Sequence, residues 1–361
     1  MNIKIYKKIE DYANVNIYIG IDVHLNTYKV AISIHGIMEK IFSMDADPEM
    51  LVKHILTHYP KGTYYSVYEA GFSGFKLHRT LRAAGIHNIV VNPADVPTSD
   101  KEKRSKTDKI DASKLARELA NDNLHCIWIP TEKQEAIRDL IRRRGQLIAM
   151  QTREKNQIKS YLYKIGIVLP PNLQGRKWSE NFITYLRELP FEIQEQRLLL
   201  DSLLKTLEQT KQQIEELVET IKKVLTENTG TRDIIKYLLT IPGIGFSIAA
   251  GIYAEIIDIS RFNTLNHLAS FAGLTPSCHS SGENKDTGYL TRRQNKRLRV
   301  FLIEAAWVSI RTDPALLDCY GRLKKKGIIG QKAIIRIAKK LLSRILYVWR
   351  NQTEYIHSII K

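Results

Sequence analysis

Short apolar stretches broken by turn residues fill the first 130 positions, and long amphipathic stretches fill the rest. Ile17 to Val23 is apolar and predicts a strand that carries the carboxylate Asp22 at its end, in Tyr18-Ile-Gly-Ile-Asp22-Val-His24. Thr27 to Ile34 alternates and predicts a second strand, joined to the first by a short polar link that suits a hairpin. Ile37 to Phe42 is a candidate third strand. Asp47 to His58 has helical spacing, with Asp47 placed to cap its start. Thr63 to Tyr68 is rich in tyrosine and valine and predicts a strand running into Glu69. Ser73 to Ala84 predicts a helix stopped at Gly85. Ile89 to Val91 is a short strand ended by Asn92-Pro93.

From Thr131 the pattern changes to long helices. Glu132 to about Ile165 contains one breaker, Gly145, before Pro170-Pro171 and Gly175 interrupt the chain. Beyond Pro190, Leu200, Leu203, Leu207, Thr210, Ile214, Leu217, Ile221 and Val224 fall on heptad a and d positions. They predict one arm of a helical hairpin whose other arm is the Glu132 helix, with a second subunit as a further partner. The region from Thr231 reads as mostly helical and closes in an apolar-basic helix from about Gly330 to Ile360.

Composition narrows the function. Of 361 residues, 43% are hydrophobic and 26% charged, as in folded chains, and the net charge is +17. An excess of that size predicts a polyanionic partner. No apolar run approaches the roughly 20 residues of a spanning helix, which argues against a membrane, and the N-terminus lacks a signal-peptide core. Cys126, Cys278 and Cys319 are odd in number and widely spaced, without a disulfide or zinc pattern, so a reducing cytoplasm is expected.

The unusual chemistry lies in the acids of this basic chain. Asp22 and Glu69 each end an apolar strand. Asp108 and Asp111 stand three apart in Lys106-Thr-Asp108-Lys-Ile-Asp111-Ala112, on one face of a helix. Carboxylates converging from separate elements can hold two Mg²⁺ ions on a phosphodiester. Taken singly, Asp22 is a turn residue, and Asp108 and Asp111 balance Lys101, Lys103, Arg104, Lys106 and Lys109. It is all four together that point to metal. Gly20 allows close approach to the central strand. His24 reads as a ligand, a phosphate contact or a polar residue at a strand end. The order βββαβαβα, with carboxylates at strand ends, is that of the RNase H-like fold.

Two further motifs point to nucleic acid. Ile241-Pro-Gly243-Ile-Gly245-Phe has the form of a helix-hairpin-helix, whose second helix can offer its N-terminal amides to a phosphate; the alternative is a packing turn. Gly273-Leu-Thr-Pro276-Ser-Cys-His279-Ser280-Ser281-Gly282 reads as a loop, followed by the basic cluster Arg292, Arg293, Lys296, Arg297 and Arg299. Arginines beside a serine suit attack of its hydroxyl on a bound phosphate, although a Ser-Ser-Gly loop alone signals nothing.

These motifs in this order resemble the DEDD transposases of the insertion sequence 110 family, over nearly the whole chain. The N-terminal match is Gly-Ile-Asp22-Val-His, Tyr-Glu69-Ala-Gly and Lys-Thr-Asp108-Lys-Ile-Asp111-Ala. The C-terminal match is Ile241-Pro-Gly-Ile-Gly, Asp258-Ile-Ser-Arg-Phe262, Phe271-Ala-Gly-Leu-Thr-Pro276, Ser281-Gly282 and Lys296-Arg-Leu-Arg299. The resemblance implies a RuvC-like domain whose Asp22, Glu69, Asp108 and Asp111 bind Mg²⁺. It implies a second domain whose serine attacks DNA and stays linked to it: Ser281 by position, with Ser280 the fallback. Glu283 stands where relatives often have a second glycine. The resemblance also implies guidance by a bridge RNA, donor and target DNA duplexes as partners, and a homodimer to homotetramer whose composite site draws acids and serine from different subunits.

The expected organisation is a RuvC-like domain over 1–130, a helical coiled-coil region over 131–230 and a C-terminal transposase domain over 231–361, in a cytoplasmic, nucleoid-associated bacterial protein. The alternative is a RuvC-type metal-dependent junction endonuclease whose C-terminal half only binds DNA. A weaker alternative is a non-catalytic nucleic-acid binder.

Overall fold

The computed structural model describes residues 11–97, 108–171, 178–281, 284–290 and 294–356, which form two compact units dividing between Ile129 and Pro130. In the first unit, β1 (Asn16–Val23), β2 (Thr27–Ile34), β3 (Ile37–Asp45), β4 (Thr63–Glu69) and β5 (His87–Val91) form one sheet ordered β3-β2-β1-β4-β5. The β1–β2 and β2–β3 pairs are antiparallel, and β1–β4 and β4–β5 are parallel. Along β1, the buried Ile17, Ile19 and Ile21 alternate with Tyr18, Gly20 and Asp22. The isoleucines pack against Leu51 and Ile55 of α1 (Pro48–His58) and Leu77 and Leu81 of α2 (Lys76–Ala83). Asp47 caps α1 as the sequence predicts, accepting from the amides of Glu49 (2.9 Å) and Met50 (3.0 Å).

The opposite face of the sheet receives α3 (Asp108–Ala120). The helix approaches so closely because the residues between are small. A Cβ on Gly20 would lie 2.1 Å from the carbonyl oxygen of Ala112 and 2.5 Å from the amide nitrogen of Ala116. Ala31, Ala112 and Ala116 are completely buried around this seam.

The second unit is mostly helical. Its α4 (Glu132–Lys164) starts in a capping box of Thr131 and Gln134 and packs along α6 (Gln194–Glu227), so the expected hairpin is present. Leu200, Leu204, Leu207, Thr210, Ile221 and Leu225 are the buried positions of α6. Leu204 is more buried than the expected heptad residue Leu203 because α5 (Glu180–Glu188) joins this end of the hairpin, placing Phe182 and Leu186 on it. A second, larger core gathers the base of the hairpin with α7 (Thr229–Leu239), α8 (Phe246–Ile256), α9 (Leu265–Phe271), α10 (Lys296–Thr312), α11 (Pro314–Lys325) and α12 (Gly330–Asn351).

The structure corrects two expectations. The serine-bearing segment is not a loop: β6 (Pro276–Ser281) and β7 (Asn284–Leu290) pair antiparallel, Ser281 opposite Asn284. Its polar sequence carries no alternation to predict it. The last helix also stops short of Ile360. Gln352 adopts a left-handed conformation (φ 50°), and the chain turns back so that the Tyr355 amide donates to Thr240 Oγ1 (2.8 Å).

Candidate active site

The pleat and the pairing register place the acids. Ile21 of β1 lies opposite Tyr68 of β4, so Asp22 and Glu69, the next residues, end neighbouring parallel strands at the same level. Asp22 shares the Gly20 side of β1, where α3 packs. The Gly20 seam brings the start of α3 to this edge, and with it Asp108 and Asp111. His24 follows β1 in the turn to β2, its amide bonded to Thr27 O (3.0 Å).

The side chains converge. His24 Nε2 lies 3.2 Å from Asp22 Oδ2 and 3.3 Å from Asp108 Oδ2. One donor atom from each of the three falls within 4.8 Å of the other two. Asp111 pairs with Lys114 one turn further along α3 (3.5 Å), and the Lys114 side chain is buried. Burial pushes the Asp22 carboxyl above its ordinary range; His24 opposes this, while Asp108 and Asp111 add to it by repulsion. Carboxylates crowded in this way repel one another, and their oxygens suit a hard divalent cation. The donor set therefore fits the metal that the sequence implies. Glu69 stands at the same strand edge without belonging to the three-residue cluster.

Sequence reasoning left His24 open and overlooked Lys114. The signals were there: His24 is two residues beyond Asp22 in a tight turn, and Lys114 is one turn from Asp111 on a helix.

In the second unit, α7 and α8 flank the Ile241–Gly245 turn. Gly243 has φ +89°, and a Cβ there would meet Ser309 Oγ at 2.3 Å, so this glycine docks the turn on α10. Ser309 Oγ donates to Pro242 O (2.7 Å). Gly245 is exposed at the start of α8. Lys296, Arg297 and Arg299 occupy the first turn of α10, which Asn295 caps through the Leu298 amide (3.0 Å). Lys296 and Arg297 are both exposed there, where cations oppose the helix dipole. Arg299 is held by Gln294. Asn295 also donates to the buried Glu255 (2.8 Å), which accepts two bonds from Arg142 of α4, both 2.9 Å. Lys103, Arg104, Lys106, Arg292 and Arg293 lie outside the described residues.

Comparison with known proteins gives this arrangement a lineage. Residues 19–167, which include all four acids, match a family described as a transposase of the DEDD type of IS110. Residues 235–321 match the family described as "Transposase IS116/IS110/IS902 family". The chain is 32% identical to "Putative transposase y4rJ" of Sinorhizobium fredii, over 76% of this chain and 74% of that one. It belongs to the IS110 family of transposases. Other relatives span more of the chain. The transposase of insertion sequence element IS1533 from Leptospira borgpetersenii is 25% identical over 81% of this chain and 84% of its own. The pilin gene-inverting protein of Moraxella bovis is 27% identical over 90% of this chain and 93% of its own. Family membership makes this chain a DNA transposase, with DNA as its substrate.

Proposed function

We propose that this transposase cuts and rejoins DNA with Mg²⁺-bound carboxylates and a serine nucleophile, guided by a structured bridge RNA. The observation that carries the reading is the meeting of Asp22, His24 and Asp108 from a strand end, a turn and a helix start. The first unit is read as RuvC-like and RNase H-like. Its strand order, two parallel pairs and acids at adjacent strand ends support this.

Asp22, Glu69, Asp108 and Asp111 would hold the metal, which when bound offsets charge on the phosphate oxygens. The Ser281 hydroxyl gives up its proton and attacks the scissile phosphorus. A serine–phosphate bond forms, the bond to the deoxyribose oxygen breaks, and that oxygen takes a proton. Reversal with another strand's hydroxyl rejoins DNA without a high-energy cofactor. Lys296 and Arg297, with Arg292, Arg293 and Arg299, would hold the phosphate. Gly243 and Gly245 would set a backbone-binding turn, and Lys103, Arg104 and Lys106, which precede α3 in the sequence, would contact nucleic acid.

Within the second unit, 131–230 is assigned to assembly and 231–361 to serine chemistry. Assembly as a homodimer to homotetramer would complete the site, in the cytoplasm at the nucleoid. The junction endonuclease stays as the second reading because the acidic cluster lies wholly in the first unit. The test is cleavage of labelled DNA by Asp22→Ala and Asp111→Ala. Each is expected to lose about a hundredfold or more, since metal supplies several kcal/mol to such transition states. Undiminished cleavage in excess chelator would overturn the reading.

A further inference from the structure

We propose that His24 is a direct ligand of the metal held by these carboxylates, giving the site a mixed nitrogen and oxygen donor set. The inference rests on the metal-binding reading above and adds a ligand to it. Three observations support it. His24 Nε2 sits at 3.2 and 3.3 Å from oxygens of Asp22 and Asp108. The atom is shielded from solvent, yet its alignment with neither oxygen makes a hydrogen bond. The turn that carries it is fixed by pairing of β1 with β2 and by the His24 amide on Thr27 O.

A histidine serving only to neutralise the two acids would align an N–H with one of them. This nitrogen is close to both and aligned with neither, as a third donor to an ion between them is. Asp22 Oδ2 and Asp108 Oδ2 supply hard oxygens, and the imidazole supplies a softer nitrogen. That set shifts preference from Mg²⁺ toward a first-row ion such as Mn²⁺. With one nitrogen among carboxylates, Mg²⁺ remains able to bind.

The experiment uses the full chain with Mn²⁺ as the probe and pulsed electron paramagnetic resonance as the readout. Wild type is expected to show histidine nitrogen modulation on the bound Mn²⁺, altered by ¹⁵N-histidine labelling. His24→Gln should lose the modulation while still binding Mn²⁺ at least about tenfold more weakly, with its preference for Mn²⁺ over Mg²⁺ reduced. A circular dichroism melt shows that the variant is folded. Asp22→Asn serves as the control that abolishes binding. Mn²⁺ bound at Asp22 without nitrogen modulation, or modulation that survives in His24→Gln, overturns His24 as a ligand and leaves the metal reading standing. Wild type that binds no Mn²⁺ and no Mg²⁺ overturns both.

Discussion

Single residues in this chain are placed by what their neighbours permit. Glu255 is buried and accepts two bonds from Arg142 and one from Asn295. Burial pushes its carboxyl up, but Arg142 and Asn295 outweigh that and hold it below its ordinary range. Asp313 is similar. Burial raises it, and the Leu316 amide, Arg344 and Tyr355 more than offset the rise. Folded pKa values below the unfolded ones mean stability that is full above the ordinary carboxylate range and lost as pH falls through the depressed folded values. Glu255→Gln should therefore cost about 3 kcal/mol at neutral pH, by stranding a half-buried Arg142. Its difference from wild type should shrink in acid. Thermal melts across pH check both; a difference that is constant with pH would contradict the assignment. Neither residue stood out in the sequence, because partners 113 positions away for Glu255 and 31 for Asp313 leave no local pattern.

At the scale of elements, the seam between β1 and α3 ties packing to chemistry. The strands of the first unit were legible because apolar alternation and turn residues both mark them; Asp22 and Glu69 stood out as strand-end exceptions to that pattern, and Asp108 and Asp111 by their spacing of three. The role of Gly20 was legible too, in outline. What the sequence did not show is that its partners are the backbone of Ala112 and Ala116. Gly20→Ala forces α3 outward. The expected result is a loss of about 1–3 kcal/mol from overpacking and a fall in cleavage of roughly a hundredfold, the scale of a 1 Å misplacement of reacting groups. Melting temperature and cleavage rate measured together check this; unchanged cleavage would detach α3 from the site. The β6–β7 hairpin escaped notice because its polar sequence lacks the alternation that marks the strands of the first unit. The end of α12 escaped because Gln352 is no usual helix stop.

For the whole molecule, the net charge of +17 was the clearest sign of a polyanionic partner. If a bridge RNA is that partner, protein purified at low salt carries a discrete structured RNA from its own element. The affinity for it then falls linearly on a logarithmic salt scale. Sequencing the bound RNA and titrating salt test this; random cellular RNA alone would contradict guidance. The central claim, that strands are cut and rejoined through Ser281, is tested most directly by a denaturing gel of protein incubated with labelled DNA. Wild type should give a covalent protein–DNA band, and Ser281→Ala should give none while still binding DNA. Ser280→Ala should keep the band. A wild type that nicks DNA and never forms the band, or a Ser281→Ala protein that still forms it, would contradict the account.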